Sequence, residues 1–249
     1  MGMKKAVHLS AGELLEMVGL EPGRIGSYTI MPGPLERLQA VVEKLDSPVQ
    51  DFSYMEHTMY TGFFQGTKVT AVNGGMYSPQ GAIVGEMVCA AGGKHILRTG
   101  SCGALSEDIA IGDLIIVTGA VRGEGTTPYY VPANFSTVAD VRVTGALMQA
   151  AEIMGVKYHL GLVWTTDALL KETRDRVEEM RRITVKAVDM VSSSVLTVAQ
   201  LYEVAAGAIL AVSDNLVTGE LGFMSPRYYE TEEAMIDIAF KAITILEGK

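Results

Sequence analysis

An arginine, a hydroxyl and two glycines stand together in Arg98-Thr-Gly-Ser-Cys-Gly-Ala-Leu105, directly after the short apolar strand candidate Lys94-His-Ile-Leu97. That is the chemistry of an oxyanion cradle. The guanidinium forks onto two oxygens, the Ser101 hydroxyl adds a bond, and glycines let backbone N–H groups come close. The same spacing also fits a tight turn carrying an exposed arginine. A second candidate is Thr29-Ile-Met-Pro-Gly-Pro-Leu-Glu-Arg37, which reads as a strand, a Gly/Pro turn and a helix. Backbone N–H groups at that helix start, after Gly33, suit an anion. Taken alone, Arg37 reads as an ordinary solvated helix residue.

Asp214 is the acid/base candidate. Ala208-Ile-Leu-Ala-Val-Ser213-Asp214 is an apolar strand ending in a carboxylate. A carboxyl partly desolvated there has a raised pKa and becomes a useful proton donor. The alternative is a turn- or helix-capping aspartate. Arg227 follows 13 residues later, after a loop containing Gly219, Gly222 and Pro226, of a type that can fold back over a pocket. His57, His95 and His159 lack ligand-like spacing and read as structural, so no metal site is expected.

The elements that must hold these groups alternate. Strand candidates are Tyr28–Met31, Lys68–Asn73, His95–Thr99, Leu114–Val121, Tyr158–Trp164 and Ala208–Ser213. Helical periodicity runs over Leu35–Leu45, Gly81–Ala91, Val138–Met154, Glu172–Arg182, Ser192–Val204 and Thr231–Leu246. This pattern predicts an α/β fold with a largely parallel or mixed sheet covered by helices. No linker, charge block or repeat divides the chain, so residues 1–249 read as one domain. Ligands in such sheets bind where loops leave the carboxyl ends of strands, and the stretches above fall at such places.

Hydrophobic residues make up 48% of the 249 residues, and the mean hydropathy is +0.24. No uncharged apolar run approaches the ~18 residues of a spanning helix, so no membrane partner is expected. The surplus apolar surface points instead to a subunit interface. The net charge of −9, with no basic tract, disfavours a nucleic-acid partner. Cys89 and Cys102 make neither a disulfide framework nor a zinc site. Met1-Gly-Met-Lys-Lys-Ala lacks the apolar stretch of a signal peptide, so the expected compartment is the cytoplasm.

Arg-x-Gly-Ser-Cys-Gly-Ala resembles the phosphate-binding signature of the nucleoside phosphorylase family, which includes hexameric purine nucleoside phosphorylases and uridine phosphorylases. The resemblance implies a single-domain three-layer α/β/α fold with a central mixed, partly barrel-like sheet flanked by helices. It also implies a homo-oligomer, at least a dimer and expected as a hexamer of three dimers. The implied reaction is reversible attack of inorganic phosphate on a nucleoside, giving free base and pentose 1-phosphate. Nucleoside and phosphate are then the partners, with no cofactor beyond the phosphate co-substrate.

Residue by residue, the resemblance assigns phosphate to Gly33, Arg37, Arg98 and Ser101. Asp214 becomes the acid that protonates a purine at N7, with Arg227 assisting as the loop closes. His8 would reach a neighbouring subunit's site and touch the sugar 5′-hydroxyl. Met76, in Asn73-Gly-Gly-Met-Tyr-Ser-Pro-Gln80, would lie under the sugar, and Asp189 and Met190, in Val188-Asp-Met-Val-Ser-Ser193, would line the ribose. Trp164, Leu169 and Ser213 would face the base, with Tyr129 as another stacking face.

The sequence also departs from the family. Pro34-Leu35 replaces an Asp-Pro, and Tyr77 replaces a glycine. Val191 replaces the glutamate that grips the sugar hydroxyls, and Met55 replaces an arginine lent by the neighbour. The segment from Val121 through Asp140 resembles uridine phosphorylases, yet Leu169–Asp175 lacks their uracil-reading glutamine and arginine. Two alternatives stand beside the phosphorylase. One is a nucleosidase using water on the same fold, and the other is a relative that binds a nucleoside or base without turnover.

Overall fold

A computed structural model describes residues 8–248. Ser10 caps the first helix, α1 (Ala11–Met17), in a reciprocal box with Glu13. β1 (Tyr28–Pro32) is buried throughout and feeds α2 (Leu35–Val42). A hairpin follows, β2 (Asp46–Tyr54) and β3 (His57–Phe64), and then β4 (Thr67–Val72) and α3 (Ser78–Ala90). β5 (His95–Ala104) and β6 (Leu114–Gly123) lead to α4 (Val141–Ile153), whose N-cap Asp140 accepts from the Arg142 and Val143 amides. β7 (Tyr158–Thr166), α5 (Arg174–Arg182), β8 (Ala187–Asp189) and α6 (Ser192–Leu201) come next. The chain ends with β9 (Ala205–Asn215), the two-residue β10 (Glu220–Leu221) and the long α7 (Pro226–Leu246).

The ten strands of the described residues form one sheet, ordered β10-β9-β6-β7-β8-β5-β1-β4-β3-β2, with a further β9–β5 pairing. That extra pairing closes β5, β9, β6, β7 and β8 into a ring, from which β1, β4, β3 and β2 run on as an open wing. The sheet is mixed. β1 pairs parallel with β4 and β5, β5 with β9, and β6 with β7, whereas β9 runs antiparallel to β6. Helices α4 and α7 pack together, as do α3 and α6, and the two layers flank the strands. The expected α/β class, with its partly closed sheet, is the observed one.

Closure of the ring changes the reading of the arginine–glycine segment. Arg98 to Ala104 is not a loop after a strand; it is the second half of β5, paired with β9 from Arg98↔Ala208 to Ala104↔Asn215 with one register shift between Cys102 and Gly103. Two glycines make this possible. A Cβ on Gly100 would lie 2.7 Å from Arg98 Nη2, and one on Gly103 would lie 2.3 Å from Leu216 Cδ1 and 2.9 Å from an Asp214 oxygen. Their absence lets side chains cross directly over the backbone.

Sequence periodicity missed the β2–β3 hairpin because Asp-Ser-Pro-Val-Gln-Asp-Phe-Ser-Tyr is mostly exposed and polar, with only Phe52 buried. β2 is the sheet's outer edge, where one face needs no apolar pattern. α7 also begins five residues earlier than the expected Thr231, at Pro226. Proline is pre-organised for the first helical turn, where its missing N–H costs nothing. Those added residues include Tyr228, which enters the site.

Candidate functional site

Arg37 leaves the first turn of α2 and points back at β5. Its Nη2 donates to Ser101 Oγ at 2.8 Å, and its Nη1 makes a long bond of 3.4 Å to the Thr99 carbonyl. α7 closes over this pair. Tyr228 Oη lies 2.7 Å from Ser101 Oγ and donates to Glu232 Oε1 at 2.7 Å, while Glu232 forms an ion pair with Arg37. Tyr228 and Glu232 are four residues apart, so they stack on one face of the helix. Arg37 is only 8% exposed, and burial, followed by the opposing effects of Tyr228 and Arg98, lowers its pKa to about 10.

Arg98, 4% exposed, turns elsewhere. Its guanidinium lies over Gly100 and pairs with Asp189 at 3.2 Å, and its Nε reaches Ser192 Oγ at 3.3 Å. Ser101 instead meets Arg37, so the expected convergence of both arginines on Ser101 holds for Arg37 only. Strand alternation accounts for this, since positions three apart project to opposite faces. The two cations are nonetheless close enough for Arg98 to depress Arg37. Each keeps a buried donor without any hydrogen-bond partner, Nε of Arg37 and Nη1 of Arg98. Buried donors left unpaired are costly, and a cationic pair of them is a ready seat for an anion.

Asp189 does not present itself to a sugar. Its carboxylate accepts from Thr165 Oγ1 at 2.7 Å, Ser192 Oγ at 2.6 Å, and the Ser192 and Val191 amides at 2.8 and 3.2 Å, besides Arg98. It caps α6 and anchors Arg98, which corrects its expected sugar role: a carboxylate with five donors has no lone pair to spare. Val191 is buried against the position of Gly81. Met190 is half-buried, and its carbonyl accepts from Ser78 Oγ at 2.8 Å.

Asp214 sits near the end of β9, opposite Gly103 of β5, where a register shift aims it past the glycine. Burial raises its pKa, only partly offset by the bond from Ser213 Oγ at 2.8 Å. That bond and another to the Cys102 carbonyl turn Ser213 inward, away from an open base-facing position. A second carboxylate, unnoticed in the sequence, stands near Asp214. Glu172 follows the short turn Leu169–Lys171, and burial, then the charge of Asp214, raises its pKa from 4.5 to about 7. Nothing in the local pattern marks it, because the two carboxylates meet only through the fold.

Glu172 carries a pH prediction. Its folded-state pKa lies above the unfolded value, so its contribution to stability is complete below about 4.5 and is lost as pH rises through about 7. Glu172→Gln should therefore gain about 1 kcal/mol on the wild type between those limits, a figure reduced for the water that still reaches the carboxyl. Urea unfolding at pH 4.5 and pH 8 checks this; parallel profiles for the two proteins would remove the buried-acid assignment.

Arg227 is not beside Asp214. Its Nη2 bonds Asp113 Oδ1 at 3.2 Å, and the other Asp113 oxygen takes Lys157 at 2.7 Å and His159 at 2.9 Å. Burial pushes Asp113 up, but Lys157, His159 and the Ala110 amide outweigh it and hold the carboxyl below its ordinary value. The expected Asp214–Arg227 pairing is thus absent from this arrangement, because α7 starts at Pro226 and carries Arg227 to the Gly112–Asp113 turn. Trp164, 6% exposed, packs with Leu105, Val177 and Val188 in a satellite core and offers no open face to a base. Leu169 and Met76 are exposed, and His8 is exposed at the start of the described residues. Gly33 lies on the turn into α2, with Arg37 Nη1 3.8 Å from where its Cβ would be.

Two open concavities, of about 330 and 440 Å³, lie elsewhere, one lined by Glu178, Arg181 and Lys186 and the other by Asp140, Gln200 and Val204. The arginine cluster is not among their walls. Among the described residues no group of three or more His, Cys, Asp or Glu could hold a metal ion, and no helix is long and apolar enough to cross a membrane.

A sequence profile described as the phosphorylase superfamily matches residues 24–243. A uridine phosphorylase of Thermococcus kodakarensis is 33% identical over 242 residues, covering 92% of this chain and 85% of its own. A purine nucleoside phosphorylase of the DeoD type from a Jannaschia species is 31% identical over 228 residues, covering 90% and 97%. The crystal structure of uridine phosphorylase from Vibrio fischeri superposes with a TM-score of 0.83 at 23% identity, covering 90% and 94%, which speaks to the fold alone.

Proposed function

Because the chain belongs to the phosphorylase superfamily, we propose that it is a nucleoside phosphorylase, an enzyme of the pentosyltransferase kind that cleaves a nucleoside with inorganic phosphate. One observation carries this reading: Arg37, hydrogen-bonded to Ser101, and Arg98 each hold a buried guanidinium N–H with no partner. Phosphate oxygens accept strongly from such charged donors. Held under the sugar, its negative charge stabilises the cationic character that develops at C1′ as the base departs. No part of this requires a metal or organic cofactor.

Asp214 is the acid in this reading. A neutral carboxyl at its desolvated position can protonate a purine as the glycosidic bond breaks. Purine nucleosides are therefore the first substrates to test. Uridine is a second reading, favoured by the 33% identical Thermococcus relative that bears that name. Assembly into dimers or a hexamer belongs to the same proposal, supported by the exposure of Met55, Tyr129, Leu170 and Met224.

The test is a panel of inosine, adenosine, guanosine and uridine, in ribo and 2′-deoxy forms, incubated with and without phosphate. The sugar variants matter because neither Asp189 nor Val191 offers a free acceptor to the sugar hydroxyls. Base release only with phosphate supports the phosphorylase. Release without it would instead make the protein a nucleosidase, and binding without release would make it a non-catalytic binder.

A further inference from the structure

A carboxylate stands among the donors of the anion cluster. Glu232 Oε1 takes both the Arg37 guanidinium and the Tyr228 hydroxyl. Counting protons fixes the direction of the chain. An ionised carboxylate only accepts, so the single Tyr228 proton goes to Glu232. Ser101, 2.7 Å from Tyr228 Oη, must then be the donor in that contact, while its own oxygen accepts from Arg37. The Ser101 proton is thereby committed to α7. What remains for an incoming anion is two cationic N–H groups, Nε of Arg37 and Nη1 of Arg98, beside the Glu232 carboxylate that pairs with Arg37.

We infer that Glu232 makes this cradle selective for oxyanions that carry a proton, so that it accepts inorganic phosphate and rejects sulfate. The inference rests on the phosphate reading above and names the discriminating group. At neutral pH phosphate retains a hydroxyl that can donate to Glu232 while its other oxygens take the guanidinium donors. Sulfate has no proton there. Its oxygens would face the Glu232 carboxylate acceptor to acceptor, which is repulsive. A site built around a ligand hydroxyl discriminates strongly against the analogue lacking it.

Calorimetric titration of the full-length protein with phosphate and with sulfate tests this, on the wild type and on Glu232→Gln. The amide keeps the shape and can donate to sulfate. Phosphate should bind the wild type about 10- to 100-fold more tightly than sulfate, the range of one charged hydrogen bond. In Glu232→Gln the preference should shrink to about threefold or less, mainly through tighter sulfate binding. Sulfate binding the wild type as tightly as phosphate overturns the inference but leaves the anion site standing, and so does an unchanged ratio in a folded variant. Phosphate that gives neither binding nor base release overturns the phosphate reading as well. Should Glu232→Gln not fold, the wild-type ratio decides by itself.

Discussion

Asp214→Asn is expected to lower purine nucleoside turnover by about 10²–10⁴-fold, the usual contribution of a general acid. Asparagine keeps the size of the side chain and can still meet Ser213, so the fold should survive. It cannot deliver a proton to a departing base. A pyrimidine has no equivalent ring nitrogen to protonate, so uridine turnover should fall less. The pH profile gives an independent check. Burial raises the Asp214 pKa, and the acid acts only when protonated. Wild-type purine kcat should hold below that raised value and decline as pH rises through it, whereas the variant should lack this limb. Near-wild-type rates on both kinds of nucleoside would take Asp214 out of the mechanism.

Arg98→Ala should cost both stability and phosphate use. In the wild type the Asp189 carboxylate is fully buried and pairs with Arg98 at 3.2 Å. Removing one partner of a buried ion pair typically costs about 3–5 kcal/mol, because the other charge is left uncompensated. Denaturant unfolding should show a loss of that order. The companion variant Arg98→Ala with Asp189→Asn separates the two roles. It no longer buries a lone charge, so much of the stability should return. Phosphate saturation should not return, since the unpartnered Nη1 donor is gone. A double variant that saturates with phosphate like the wild type would show that Arg98 is a structural anchor for α6 and nothing more.

The chemistry of the site was legible in one dimension, and its wiring was not. Arg98, Ser101 and Asp214 could be chosen from sequence because each stands near glycine or at the end of an apolar run, whereas Arg37 was marked only by its four-residue step from Gly33, which resembles the family's element. Strands such as β1 and β9 were legible for the same local reason, since a stretch buried on both faces must be apolar throughout. The edge hairpin β2–β3 was not, because one exposed face removes the pattern.

Contacts between distant elements obey no such local rule. Which face of α7 meets α2 is decided by how the helices pack on the closed ring of strands. That packing alone brings Glu232 to Arg37, Tyr228 to Ser101 and Arg227 to Asp113. Likewise Asp189 looked available to a sugar until the fold delivered five donors to it. Residue types set what each side chain could do; long-range packing and the satisfaction of buried charges decided which partner each one has.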